Sequence, residues 1–441
     1  MSFSNIMDSN SYTGQTTGTP DDALIAARTR MLGPAYRLFY RTPVHLVRGE
    51  GSHLFDAHGT RYLDAYNNVA CVGHCHPRVV EATTRQLGLL NTNTRYLHDG
   101  IVAYSERLLA TMPPDIDQIM YACTGSEVND LALRVAARHT GAQGIIITSD
   151  AYHGNTEAVA AISPSNGGPP VLGAHVRTVP APGTRAEAGT AADRFALDVT
   201  RAIADLHDAG YGVSCLIVDT IFSSDGIFTA APALAPAVDA VRAAGGVFIA
   251  DEVQPGFGRT GASMWGFSRH DVVPDLVTMG KPMANGLPVS ALAARSEVLR
   301  AFGETMPYFN TFGGNPVSMA AAMAVLDVIE DEQLISHAHE VGDYLRSELW
   351  RIAADCPTIG DVRGTGLYTG IEIVREQDGS YQPDRSEARR IVEDMRDRHV
   401  LISVCGKHGN VLKVRPPLVF SMSDAAWFAD VFAQVSSHAR Y

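Results

Sequence analysis

Four apolar, β-branched runs, at 144–148, 214–219, 246–251 and 275–279, are separated by longer Ala-rich or amphipathic stretches. Runs with so little polar alternation belong to strands covered on both faces. Their interleaving with helix-length segments predicts an α/β fold, a parallel sheet layered between helices. In such sheets ligands gather beyond the carboxyl ends of the strands. Asp219, Asp251 and the 279–281 turn all fall at those ends.

After Asn315-Pro316 the pattern changes to a long helical run, 317–353, that fits one bent helix or two. Strand-like pieces at 366–374 and 411–414 flank a helix-like segment at 385–398, which predicts a smaller α+β domain. The expected division is a loose tail at 1–20, an N-terminal segment at 21–60 packing with the small domain, a large domain at 61–320 and a small domain at 321–441. The Pro-, Gly- and Ala-rich stretch 163–192 reads as a surface excursion.

A chain of 441 residues can bury a large core, enough for two or three domains. Its net charge of -13 and lack of a Lys/Arg cluster argue against a nucleic-acid partner. The first twenty residues have neither the basic start nor the apolar run of a secretory signal, and no apolar stretch reaches the length of a membrane span. A cytoplasmic protein with no membrane partner is expected. Six scattered cysteines do not form a disulfide framework. Cys71-Val-Gly-His-Cys75-His76 lacks a second ligand pair at a suitable spacing, so no metal is expected.

The chemistry sits at the strand ends. Lys281 follows Asp251 by thirty residues. Pyridoxal phosphate needs such a pair: a lysine amine to hold its aldehyde, and a carboxylate to keep the pyridine nitrogen protonated. Thr124-Gly-Ser-Glu127 is a capping box before an amphipathic helix, whose free N–H groups suit a phosphate. Ala151-Tyr-His-Gly154 places an aromatic ring at the sheet rim. Gly256-Phe-Gly-Arg-Thr-Gly261 is not a dinucleotide loop, because it does not pass directly from strand to helix. Tyr308-Phe-Asn-Thr-Phe-Gly-Gly-Asn-Pro316 is a loop whose glycines permit close approach to a ligand or another chain.

Together with Gly73-His-Cys-His-Pro77 and the 412–418 tail, these motifs resemble the class III pyridoxal-phosphate aminotransferases, from about Val47 to the C-terminus. The resemblance implies fold type I: a mostly parallel seven-stranded sheet covered by helices, with a smaller α+β domain formed by the termini. It also implies an obligate homodimer and leaves further pairing into a tetramer open. On this chain Lys281 would hold the cofactor and move protons, and Asp251 would pair with the pyridinium nitrogen. Gln254 would lie near the phenolic oxygen, Gly125 and Ser126 would bind the phosphate, and Tyr152 and Val253 would flank the ring. Thr311 would reach the phosphate of the neighbouring subunit's cofactor.

Aminotransferases of this family commonly hold the substrate carboxylate with an arginine in the tail motif and gate it with a glutamate after the 214–219 strand. Here Lys413 stands in the arginine's place and Ser224 in the glutamate's, with Asp225 one step away. Lysine lacks arginine's planar two-point grip but serves a phosphate well as a point charge. The 67–77, 90–99 and 278–286 segments resemble ethanolamine-phosphate phospho-lyases and their phosphohydroxylysine relatives, although Ala-Cys-Thr before Gly125 and the Asp219-Thr-Ile-Phe wording depart from them. Elimination of phosphate from phosphoethanolamine, a phosphorylated small amine, giving acetaldehyde, ammonia and inorganic phosphate, is thus the expected reaction. Lys413 and Arg95 are the substrate's expected phosphate ligands, Arg415 is third, and Asn67 and Asn68 add neutral hydrogen bonds. Arg363 is expected to support the small domain's turn. Two alternatives stay open: an ω- or α-amino acid aminotransferase, with Arg415 taking the carboxylate, and a 5-phosphohydroxy-L-lysine phospho-lyase.

Overall fold

In the computed structural model, which describes residues 10–14, 18–167, 172–183 and 188–437, all four apolar runs are strands of one seven-stranded sheet. Its order is Gln118–Ala122, Ser290–Ala294, Leu276–Met279, Val247–Asp251, Cys215–Asp219, Ile145–Thr148 and Val176–Val179. Ser290–Ala294 runs antiparallel to both neighbours and the other pairings are parallel. Successive side chains enter opposite cores, as strand geometry requires. Ile145, Ile147, Ile217 and Ile249 pack with Val128 and Leu131 of helix Gly125–Thr140, while Ile146, Leu216, Val218 and Phe248 pack with Phe195 and Val199 on the other face. Asp219 and Asp251 are register partners at the carboxyl ends.

Val176–Val179 corrects the reading of 163–192 as a surface excursion: it is the sheet's edge strand beside Ile145–Thr148. The helical run is two helices, Pro316–Asp331 and Leu334–Ala354, divided at Gln333, whose φ of 51° is left-handed. Pro316–Asp331 packs on helix Pro77–Leu87, so the expected boundary near 320 falls inside a helix of the large domain.

The small domain is an antiparallel sheet in the order Ile359–Thr365, Tyr368–Gln377, Val411–Val414, Ser403–Cys405. A second sheet joins both ends of the chain: Leu46–Glu50, His53–Asp56 and Arg61–Asp64 pair in turn, and Val400–Leu401 pairs with Arg61–Asp64. The expected boundary at 61 therefore cuts through this sheet. Of the expected loose tail, 1–9 and 15–17 lie outside the described residues. Asn10 and Ser11 are buried, Ser11 forms a bridge with Phe39, and Asn10 O accepts from Tyr40 N at 2.7 Å, so this part of the tail is built into the fold.

The loop at 256–261 is the joint between the domains. Arg259 is 1% exposed and donates to the carbonyls of Leu367 and Pro416. A Cβ on Gly366 would stand 2.4 Å from the carbonyl carbon of Thr260, and one on Gly342 would stand 1.9 Å from Gly366 O. Among the described residues no helix is long and apolar enough to cross a membrane, and no group of three or more His, Cys, Asp or Glu is placed to hold a metal ion.

Candidate active site

Beyond the strand ends lies a cavity of about 420 Å³, lined by Gly125, Ser126, Tyr152, Asp251, Val253 and Lys281 among others. Thr124 caps the helix above it: its Oγ1 accepts from Glu127 N at 3.2 Å, and Glu127 Oε2 accepts from Cys123 N at 3.1 Å. The N–H groups of Gly125 and Ser126 find no partner among the described residues. Gly154, with φ of 143°, lies so close that a Cβ there would stand 2.5 Å from Ser126 Oγ. The backbone thus leaves an open helix N-terminus, a site for an anion.

Asp251 is almost fully buried and held by three donors. Asn129 Nδ2 (3.0 Å) and His153 Nδ1 (2.7 Å) reach Oδ2, and Val253 N reaches Oδ1 at 3.1 Å. His153 Nε2 has no partner among the described residues. Lys281 lies one residue past Gly280 at the end of Leu276–Met279 and lines the cavity. Burial, reinforced by the charge of Arg415, brings its pKa down to about 8, against the opposing pull of Asp251 and Asp219.

A second cavity, of about 230 Å³, shares Tyr152, Gln254 and Lys281 with the first. Its far wall is Tyr66, Ser224, Lys413 and Arg415. Arg415 donates to Gln254 Oε1, lies over the Tyr66 ring at 4.5 Å and has a buried Nε with no partner among the described residues. Lys413 Nζ donates to Ser223 O at 3.2 Å, and burial drives its pKa down to about 7, with Arg415 adding to the effect. Neither cation forms an ion pair with a carboxylate among the described residues. Of the neighbours Ser224 and Asp225, only one faces the cavity. Asp225 turns away to accept from Thr148 Oγ1 at 2.8 Å and Asp150 N at 3.0 Å, and Ser224 lines the cavity.

The structure therefore brings together Lys281, Asp251, Gly125, Ser126, Tyr152, Val253, Gln254, Lys413 and Arg415. It does not bring in four others. Arg95 is exposed, 4.0 Å over the Phe309 ring, and Thr311 is exposed on the adjoining loop; neither lines either of these two cavities. Asn67 Oδ1 accepts from Val69 N at 3.0 Å, closing its own turn, and Asn68 is buried outside both cavities. Arg363 ties the small-domain sheet to the carbonyls of Gly226 and Ile227 and to Asp361 and Glu372, the supporting role expected of it. Sequence reasoning missed Asn10, Tyr66 and Asn129. Only Tyr66 carried a signal, standing directly before the Asn67 motif.

Residues 39–435 match the family model described as aminotransferase class-III. The chain belongs to that family. As a class-III aminotransferase homologue it uses pyridoxal phosphate, and its first cavity fits the group: an open helix N-terminus for the phosphate, Asp251 for the ring nitrogen and Lys281 for the aldehyde. The chain is 41% identical over 92% of its length to a Drosophila melanogaster protein named alanine–glyoxylate aminotransferase 2-like, of which it covers 85%. It is 34% identical over 91% of its length to ethanolamine-phosphate phospho-lyase homolog 1 of Caenorhabditis elegans, of which it covers 90%. Among solved structures, a phospholyase from Arthrobacter in complex with phosphoethanolamine matches with a TM-score of 0.91 and 43% identity, over 94% of this chain and 99% of that one. The fold is thus fold type I.

Proposed function

We propose that this enzyme eliminates phosphate from phosphoethanolamine. The observation that carries the reading is the pair of buried cations, Lys413 and Arg415, facing Ser224 in a cavity that adjoins Lys281. Two buried cationic side chains with no carboxylate partner among the described residues form a site for a dianion, which would hold both in their charged forms, a state that is costly without it. An acidic gate would neutralise them, and this loop presents a hydroxyl. The Arthrobacter neighbour, solved with phosphoethanolamine, supports the same substrate.

When bound, pyridoxal phosphate supplies an electron sink for the carbon next to the substrate nitrogen. Lys281, with its pKa near 8, spends an appreciable fraction of time as the neutral amine near neutral pH and takes the proton from that carbon. Asp251, held in place by three hydrogen bonds, would pair with the ring nitrogen. Lys413 and Arg415 neutralise the phosphate as the C–O bond of the adjacent carbon breaks and the oxygen leaves with the bonding electrons. With one water consumed, the sum is acetaldehyde, ammonia and inorganic phosphate, and no second substrate is needed.

Transamination is the second reading, favoured by the 41% identical alanine–glyoxylate aminotransferase 2-like relative and by Arg415, a guanidinium able to grip a carboxylate. A third, elimination from 5-phosphohydroxy-L-lysine, places the phosphate and the α-carboxylate of one substrate on the two cations. The deciding measurement is phosphate and acetaldehyde release from phosphoethanolamine by the cofactor-loaded protein with no keto acid present. Catalytic release of both is expected. Conversion of the cofactor to its pyridoxamine form by amino donors, with no phosphate released, overturns the reading in favour of transamination.

The working unit in this reading is an obligate homodimer, open to further pairing as a tetramer. Thr311 then reaches the partner's cofactor phosphate, and Arg95, which enters neither cavity described above, lies over Phe309 of the same loop.

A further inference from the structure

Besides Lys413 and Arg415, the second cavity holds another buried polar side chain, one with a donor left open among the described residues. Asn10 is 2% exposed and lines that cavity. Its backbone is fixed, with its carbonyl accepting from Tyr40 N at 2.7 Å and the next two residues joined to Phe39 and Leu38. Its Oδ1 accepts from Ser403 Oγ at 3.1 Å, which turns Nδ2 the other way. Among the described residues Nδ2 has no acceptor. Ser403 is the register partner of Lys413 on the neighbouring strand, so the amide stands beside the lysine on the same wall.

Buried amide donors are almost always satisfied, and one kept open in a cavity walled by two cations calls for an anionic oxygen. Resting on the elimination reading above, we propose that Asn10 donates through Nδ2 to a phosphate oxygen of the substrate, making the N-terminal segment a wall of the substrate site. Asn10, Lys413 and Arg415 then offer donors from three residues. A phosphate has oxygens enough for all three and a carboxylate has two, so Asn10 is a determinant of selectivity for phosphate.

The test is calorimetric titration of the cofactor-loaded protein with inorganic phosphate, with acetate for comparison, in the parent, Asn10→Ala and Asn10→Asp. Loss of one hydrogen bond to a charged group predicts phosphate binding weakened about tenfold in Asn10→Ala, with acetate changed less than about twofold. Asn10→Asp keeps the acceptor for Ser403 but places a negative charge at the phosphate, and weakens phosphate by more than about a hundredfold. The KM for phosphoethanolamine rises with the phosphate Kd in Asn10→Ala while cofactor absorbance stays near its parental value. Equal phosphate affinity in all three proteins overturns the assignment, and so does a parallel loss of phosphate and acetate, which marks a purely structural role. Should Asn10→Ala fail to fold, Asn10→Asp carries the test, since it preserves both existing bonds. A parent that releases no phosphate from phosphoethanolamine yet binds inorganic phosphate through Asn10 refutes elimination and leaves this site standing; a parent that turns over while its Asn10 variants keep their phosphate affinity and KM refutes only this site.

Discussion

Lys413 is poised near neutrality because burial and the neighbouring Arg415 disfavour its charge more than Cys405 and Asp219 favour it, with Lys281 adding a smaller repulsion. Its folded pKa of about 7 lies below the ordinary 10.5. Between those values the unfolded chain binds more protons than the folded one, so stability contributed through this group rises with pH across that window and is lost as pH falls toward 7. Lys281, at about 8, adds to the rise from its own pKa upward. The cofactor-free parent should therefore gain stability from pH 7.5 to 9.5 by roughly 1.4 kcal/mol per pH unit for each such lysine at most. Lys413→Met should remove its share of that slope in denaturant melts, and an unchanged slope would refute the assignment. Phosphate affinity should fall over the same range in the parent and stay flatter in Lys413→Met. An anion on the site reverses the balance at Lys413, which is why a lysine costly to the empty protein suits a phosphate.

At the scale of elements, the helix Gly125–Thr140 and the Tyr152–Gly154 turn form one device. A Cβ on Gly154 meets Ser126 Oγ at 2.5 Å and Ser126 Cα at 2.8 Å, and the φ of 143° suits glycine alone. Gly154→Ala should push the helix N-terminus off its position and weaken cofactor retention by about tenfold or more, an overpacking cost of ~1–3 kcal/mol. Gly141→Ala at the other end of the same helix, also left-handed but open, should lower the melting temperature and leave retention unchanged. Absorbance of the bound cofactor after dialysis separates the two; equal loss in both would remove the argument. This helix was legible in the sequence because a capping box is local, as were the four strands whose apolar runs are continuous. Gln118–Ala122 and Ser290–Ala294 escaped notice, being partly polar or made of small residues, and Val176–Val179 was hidden among Pro and Gly. Lys281 and Asp251 could be read for the same local reason. Asn10 could not: what makes it functional is Ser403, nearly the whole chain away, and no short-range pattern encodes that meeting.

For the whole molecule, the loops at 88–98 and 306–313 leave a shared apolar surface. Leu97, Tyr96, Leu89 and Phe312 are largely exposed, and Arg95 lies 4.0 Å over the Phe309 ring, which brings the two loops together. Apolar exposure of this kind marks an interface, and under the homodimer proposal a second copy covers it. Leu97→Glu should shift sedimentation toward monomer and lower activity by at least about tenfold, since Thr311 would no longer reach a partner's site. A variant that sediments as the parent does would place the interface elsewhere. The joint between the domains bears on how such an assembly works. A hinge requires slack, and at Gly342, Gly366 and Thr260 the backbones already touch, with Arg259 riveted across them. Packing this close opposes a jaw-like swing of the small domain and would hold both cations at their station before a guest arrives, so that the protein would act less like a trap than like a keyhole, choosing its guest by fit to a fixed pattern of charge.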